Sequence, residues 1–155
     1  MLCGGRGQNG QVSDTWEWEG TNWTQIKPTT SSTKRQAHAM AYESARKGVV
    51  FYGGSLGDTW EWDGKNWTEI KPTTSPSTPR RSHAMAYDSV RQRVVLFGGR
   101  GQNGQLSDTW EWDGTNWTQI KPTTSPTKRQ AHAMAYDSAR KRVVVFGGSL
   151  GDTWE

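Results

Sequence analysis

The same passages recur along this chain at alternating short and long intervals. HAMAY begins at His38, His83 and His132, and DTWEW begins at Asp14, Asp58 and Asp108. Gly-Gly pairs start at Gly4, Gly53, Gly98 and Gly147, at intervals of 49, 45 and 49 residues. The alternation comes from one loop, long after Gly4 and Gly98 (GGRGQNGQ) and short after Gly53 and Gly147 (GGSLGD). Residues 98–155 match residues 4–61 at all but seven of 58 positions, as a recent duplication or a deliberate construction would. A period of this length makes each repeat one supersecondary unit, which buries its apolar face only against its neighbours.

Within a repeat the patterning is that of strands. His83, Met85 and Tyr87 share one face of a first strand, His83–Tyr87, with alanines on the other. A charged turn, residues 88–92, leads to Val94–Phe97, continuously apolar and β-branched, as a strand covered on both faces would be. Thr109–Trp112 alternates, so that Trp110 and Trp112 project together. Asp113-Gly114-Thr115-Asn116 is a hairpin loop, and Trp117–Ile120 is the fourth strand before Pro122. The expected unit is a four-stranded antiparallel meander in an all-β protein.

The core of such a chain has to be unusual. Leu, Ile, Val and Phe number only 20 of 155 residues, but ten tryptophans supply apolar bulk, each able to bury roughly 150–250 Å². The net charge of +4 is too small to drive disorder. Lys34-Arg35, Arg80-Arg81 and Arg140-Lys141-Arg142 read as solvated turns between apolar runs rather than as a nucleic-acid site. Cys3 alone forms no intramolecular disulfide framework, no apolar leader opens the chain, and no run reaches membrane-spanning length. These features favour a soluble protein, cytoplasmic in preference to secreted, with neither membrane nor nucleic acid as partner.

The pattern R-x-x-HAMAYD, then RVVLFGG, then DTWEWDG-x-NW resembles the kelch repeat of β-propellers, especially the Trp-rich kelch-like repeats of bacterial proteins. A period of about 50 residues is the one expected of kelch. The resemblance covers essentially the whole chain. It implies four-stranded blades around an axis, with the first strand of each blade lining a central channel, and a general role in binding. His38, His83 and His132, with Arg35 and Arg129, would then be channel-lining or ligand-contacting candidates, a repeated packing role being the simpler alternative. The long loops, with Arg6, Asn9, Arg100 and Asn103, are the natural contact points for a protein or glycan, since they vary against a constant scaffold.

Several chemistries are set aside. Gly5-x-Gly7-x-x-Gly10 and Gly99-x-Gly101-x-x-Gly104 have the spacing of a dinucleotide turn. Each leads into an aromatic strand, however, and no helix N-terminus is there to hold a pyrophosphate. The same loops lack the carboxylates of a calcium site. Copper galactose oxidase shares the implied fold but needs a cysteine crosslinked to tyrosine, and Cys3 occupies a slot filled elsewhere by Tyr52, Phe97 and Phe146. Asn22, Asn66 and Asn116 fit the N-glycosylation pattern but serve better as turn formers. No catalytic constellation, cofactor or metal site emerges, because every polar residue recurs with the repeat.

The repeats divide the chain into 1–26, a half-blade with strands three and four; 37–70 and 82–120, complete blades; and 131–155, a half-blade with strands one and two. Propellers close with 4–8 blades, so about three blades per chain suggest closure by oligomerisation. Two chains would form a six-bladed homodimer with composite blades, in which residues 14–17 and 152–155 compete for one strand slot. The reading is a non-catalytic, self-assembling kelch-like scaffold without a dedicated ligand, the alternative being a protein- or glycan-binding module that uses its loops or channel.

Overall fold

The computed structural model describes residues 1–155 apart from Ser55, Thr78 and Ser149, so one serine of each short GGSLGD loop lies outside the described residues. The secondary structure is all β, arranged as successive antiparallel meanders. The first sheet holds β1 (Leu2–Gly7), β2 (Gly10–Trp18) and β3 (Trp23–Ile26). The second is four-stranded: β4 (His38–Glu43), β5 (Gly48–Gly53), β6 (Thr59–Trp62) and β7 (Trp67–Ile70). In the third, β8 (Ala84–Asp88) and β9 (Arg93–Phe97) are followed by a small separate hairpin, β10 (Arg100–Gly101) and β11 (Gly104–Gln105). The chain then returns to pair β12 (Thr109–Trp112) with β9 and β13 (Trp117–Ile120) with β12. The fourth sheet holds β14 (His132–Asp137), β15 (Arg142–Gly147) and β16 (Thr153–Trp154).

The register repeats with the sequence. Phe97 faces Thr109 and Leu96 faces Trp110 across the third sheet, Tyr52 faces Thr59 and Phe51 faces Trp60 in the second, and Phe146 faces Thr153 in the fourth. In the first sheet Leu2 and Cys3 take the same places opposite Trp16 and Thr15. The Asp-Gly loops close as the residue types require. Asp113 Oδ1 accepts from the amides of Thr115 and Asn116, and Gly114 sits at φ 99°.

Three expectations are corrected. The first strand of the third sheet starts at Ala84 rather than His83. The long GGRGQNGQ segment is a β-hairpin rather than an open loop: β1 runs straight into β2 in the first sheet, and the same residues form β10–β11 in the third. Arg35 and Arg80, read as members of solvated turns, are fully buried.

The sheets lock through a repeated interface. The fourth-strand tryptophan of each complete sheet reaches back to the third-strand threonine of the sheet before it. Trp67 Nε1 donates to Thr15 Oγ1 and Trp117 Nε1 to Thr59 Oγ1, both at 2.9 Å. The linker joins the same contact. Thr30 Oγ1 donates to the Trp67 carbonyl at 2.7 Å, Thr74 Oγ1 to that of Trp117 at 2.6 Å, and each tryptophan amide donates back to that threonine's carbonyl. Asn66 Oδ1 accepts from the Thr29 amide and Asn116 Oδ1 from the Thr73 amide, both at 2.8 Å. Around these bonds the core is indole and phenyl: Trp117 lies 5.3 Å from Tyr52 and 5.3 Å from Trp112, between ring centroids. The innermost strands β4 and β14 both lie against β8.

The polar bond inside this apolar interface generates a prediction. Thr59→Val keeps the shape but leaves the buried Trp117 N–H unpaired, at an expected cost of about 1–3 kcal/mol. Thr15→Val is expected to act likewise on Trp67. Urea unfolding of the two variants against wild type measures both.

Candidate functional site

The candidate site is the inner face built by the linkers, the Gly-Gly turns and the first residues of β4, β8 and β14. Each linker delivers an arginine three residues before a histidine, and the arginine turns into its own sheet. Arg35 Nη1 donates to the Gly53 carbonyl at 2.9 Å, while its two terminal nitrogens grip Asp58 at 2.8 and 2.7 Å. Arg80 does the same with Gly98 and Asp108, and Arg129 with Gly147 and Asp152. Each aspartate also accepts from the indole two residues on: Trp60, Trp110 and Trp154 donate to Asp58, Asp108 and Asp152 at 2.7 Å. Burial alone would raise the Asp58 and Asp108 carboxyls; the arginine and indole donors outweigh it and hold both below the ordinary carboxylate value.

The same linkers tie neighbouring sheets through the backbone. The amides of Gly5, Gly54 and Gly99 donate to the carbonyls of Arg35, Arg80 and Arg129. The approach is close enough to require glycine: a Cβ at Gly54 would lie 2.8 Å from the Gln36 carbonyl oxygen, and Gly54 has φ 85°. Ala37, Ser82 and Ala131, just before the histidines, hold positive φ of 55–56°. The Ser82 amide donates to the Ala37 carbonyl at 2.7 Å and the Ala131 amide to the Ser82 carbonyl at 2.8 Å, a backbone chain running from sheet to sheet.

The histidines pack rather than project. His38 stands edge-on to Phe51, His83 to Tyr52 and His132 to Phe97, with centroids 5.4–5.8 Å apart. His83 and His132 are buried, and neither ring nitrogen of either has a hydrogen-bond partner among the described residues. Burial, reinforced by Arg35, pushes His38 down to about 4, and burial with Arg80 pushes His83 down to about 3. His132 is lowered by burial and by Arg129. These are neutral rings at pH 7.

Of the residues singled out from the sequence, the three histidines stand at equivalent places, at or just before the first residue of β4, β8 and β14. Arg35 and Arg129 turn their guanidinium groups into their own sheets, onto Asp58 and Asp152. Arg80 belongs with them and was missed, although Arg80-Arg-Ser-His83 repeats the spacing of Arg35-Gln-Ala-His38. Arg6, Asn9, Arg100 and Asn103 are exposed along the hairpin arms and tips, and the Arg100 backbone pairs with that of Arg81. Among the described residues no three His, Cys, Asp or Glu side chains gather as a metal would require.

With this geometry in view, the family is decided. Residues 58–155 match the model of the KLHDC2/KLHL20/DRC7 Kelch-repeats domain. The chain belongs to the kelch-repeat family. No curated protein sequence matches it. A kelch-repeat domain is a β-propeller module for protein interaction or scaffolding, and here the Arg–Asp–Gly-Gly bonds tie linker, second strand and third strand together.

The buried histidines make kelch-domain stability depend on pH. Their folded pKa values lie below the unfolded value of about 6.5, so the unfolded chain takes up protons first. Stability is complete above pH 6.5 and falls as pH drops toward 4 and then 3, with a slope of up to ~1.4 kcal/mol per pH unit for each histidine. Arg35 and Asp58 face His38 and Arg80 faces His83, and Asp58 is held below the ordinary carboxylate value by its arginine and indole donors. Urea midpoints between pH 7 and 4 are expected to fall for wild type and to fall less steeply for His38→Gln/His83→Gln.

Proposed function

We propose that this kelch chain is a non-catalytic scaffold whose principal partner is a second copy of itself, the two completing a closed propeller. One comparison carries the reading. Trp67 and Trp117 are 1% and 0% exposed because a preceding sheet receives them, whereas Trp23, their equivalent in the first sheet, is 51% exposed. On the opposite flank Phe146 is 56% exposed, while its equivalents Tyr52 and Phe97 are at most 2%. One flank thus presents the tryptophan that the other flank is built to receive, so copies meet head to tail. Residues 1–26 supply strands three and four and residues 131–155 strands one and two of a composite blade, beside complete blades at 37–70 and 82–120. The competition for places is wider than residues 14–17 against 152–155: β1 also pairs where a second strand belongs, the place that β15 fills in the fourth sheet.

Light scattering behind a sizing column tests this directly. The expected mass is 34.8 kDa, twice 17.4 kDa. A folded monomer at micromolar concentration overturns self-assembly, and a larger ring means a different closure.

A second reading has its own support. The β10–β11 hairpin stands over a groove of about 380 Å³ lined by Pro79, Arg81, Arg100, Gly101 and Gln102. With Asn103 beside it, and with Arg6 and Asn9 on the equivalent hairpin of the first sheet, this face suits a protein or glycan carrying acidic groups. Replacing GGRGQNGQ by the chain's own short loop GGSLGD leaves the scaffold and removes the groove. Capture of such a partner by wild type and not by the loop-exchanged protein is the expected result.

A further inference from the structure

The composite blade can be specified atom by atom, because the chain contains the interface twice and leaves matching halves of a third unmet. On the receiving side, Thr109 occupies the position of Thr15 and Thr59, yet no indole reaches it among the described residues. Beside it is a cavity of about 300 Å³, with Val95, Phe97, Thr109, Pro122 and Thr124 on one side and Val145 on the other. Phe97 and Thr124 correspond to Tyr52, which packs on Trp117, and to Thr74, which bonds to its backbone. On the donating side, Trp23 is half exposed, and Asn22 before it corresponds to Asn66 and Asn116.

A second, independent mismatch involves charge. Asp14 begins the DTWEW of the first sheet, and Trp16 Nε1 donates to its Oδ2 at 2.6 Å. Its Oδ1 is buried without a partner, whereas the equivalent oxygens of Asp58, Asp108 and Asp152 each take an arginine. The arginine that precedes the open fourth sheet is Arg129. It now holds Asp152, which opens the fourth repeat's DTWE as Asp14 opens the first repeat's DTWEW and sits beside the two-residue strand β16.

Resting on the self-assembly reading above, we propose that the β2–β3 hairpin of a second copy replaces β16 at the edge of β15. The hairpin's Trp23 enters the cavity and donates to Thr109, and its Asp14 takes Arg129 from Asp152. β15 in turn displaces the partner's β1, so that Phe146 covers the place held by Cys3 against Trp67. The interface is therefore an exchange between two equivalent aspartates for one arginine, not an added patch. The occupant is a second copy because the receiving side asks for an Asn-Trp preceded by Asp-x-Trp at the repeat's own spacing, and residues 14–23 carry it.

This exchange gives two conservative substitutions opposite effects. Asp152→Asn weakens the hold within the chain and is expected to tighten the dimer about tenfold; Asp14→Asn weakens the hold between chains and is expected to loosen it about tenfold. Sedimentation equilibrium over a concentration series reads both. In a double-mutant cycle, Trp23→Phe and Thr109→Val should each weaken the dimer about tenfold and together scarcely more than either alone, since they remove the same bond. A wild-type dimer indifferent to all four substitutions overturns the strand exchange and leaves self-assembly standing. A chain that stays monomeric, with Asp152→Asn as without it, overturns both.

Discussion

Everything in this fold hangs from the aspartate that opens each DTWEW. In every sheet but the first its carboxylate accepts from an arginine that arrives from the preceding linker, and in all four it accepts from the indole two residues on. The arginine's remaining reach goes to the carbonyl of the first glycine in the Gly-Gly turn. Three segments far apart in a repeat are thereby fixed to one another: linker, end of the second strand, start of the third. A fully buried guanidinium is tolerable because it is bidentately paired and also bonded to a backbone carbonyl; removing one partner of such a pair ordinarily costs ~3–5 kcal/mol. The linker's backbone then bonds to the preceding sheet through the second glycine, so the device that stiffens one sheet also positions it against the next.

The aromatic core is a consequence of this frame. Sheets of four short strands meeting face to face leave wide spaces between them, and a chain poor in aliphatic residues fills those with indoles. An indole, however, carries an N–H that cannot be buried without cost. Most motif tryptophans meet that requirement, each in its own way, whereas the Trp62 N–H is buried without a partner among the described residues. The first of DTWEW uses the aspartate, and the fourth-strand tryptophan uses the threonine of the neighbouring sheet. The second of DTWEW reaches the neighbouring glutamate where geometry permits, as Trp112 does with Glu61 at 3.3 Å. The motif is thus a set of acceptors at alternating heights, each matched to a different tryptophan.

Much of this is legible in the sequence, and the part that is not has a definable cause. Period, strand alternation and Asp-Gly turns are local properties, and the sheets stand where they predict. The fully apolar Val94–Phe97 is buried throughout. The lack of a helix after Gly10 and Gly104 is implied by DTWEW reading as a strand. The arginines mislead because Lys34-Arg35 and Arg80-Arg81 look like solvated pairs when only neighbours in sequence are considered; their partners stand 23 and 28 residues away. The recurring Arg-x-x-His spacing is visible, but spacing alone does not say that a cation turns inward. Likewise Thr15 and Thr59 look like ordinary strand threonines, since their acceptor role exists only across sheets, 52 and 58 residues from their tryptophans. Where a role is set by contact between repeats, the repeat itself does not display it.

In a quasi-one-dimensional protein, stability is a sum of repeat terms and nearest-neighbour terms. A residue's state then depends on its place in the row more than on its identity. Trp23 and Trp67 stand in the same N-W-T context, yet one is exposed and the other buried. The difference lies entirely in whether a preceding sheet is present to receive the ring. An exposed flank in such a protein differs from an ordinary apolar patch, because the internal interfaces already define the shape, hydrogen-bond pattern and charge of whatever can cover it. Near-identity of the repeats widens the competition, because two segments with one sequence fit one slot equally well by every local criterion. The balance between them is set by what each leaves unsatisfied when displaced; in the exchange proposed above, that is one arginine between two aspartates.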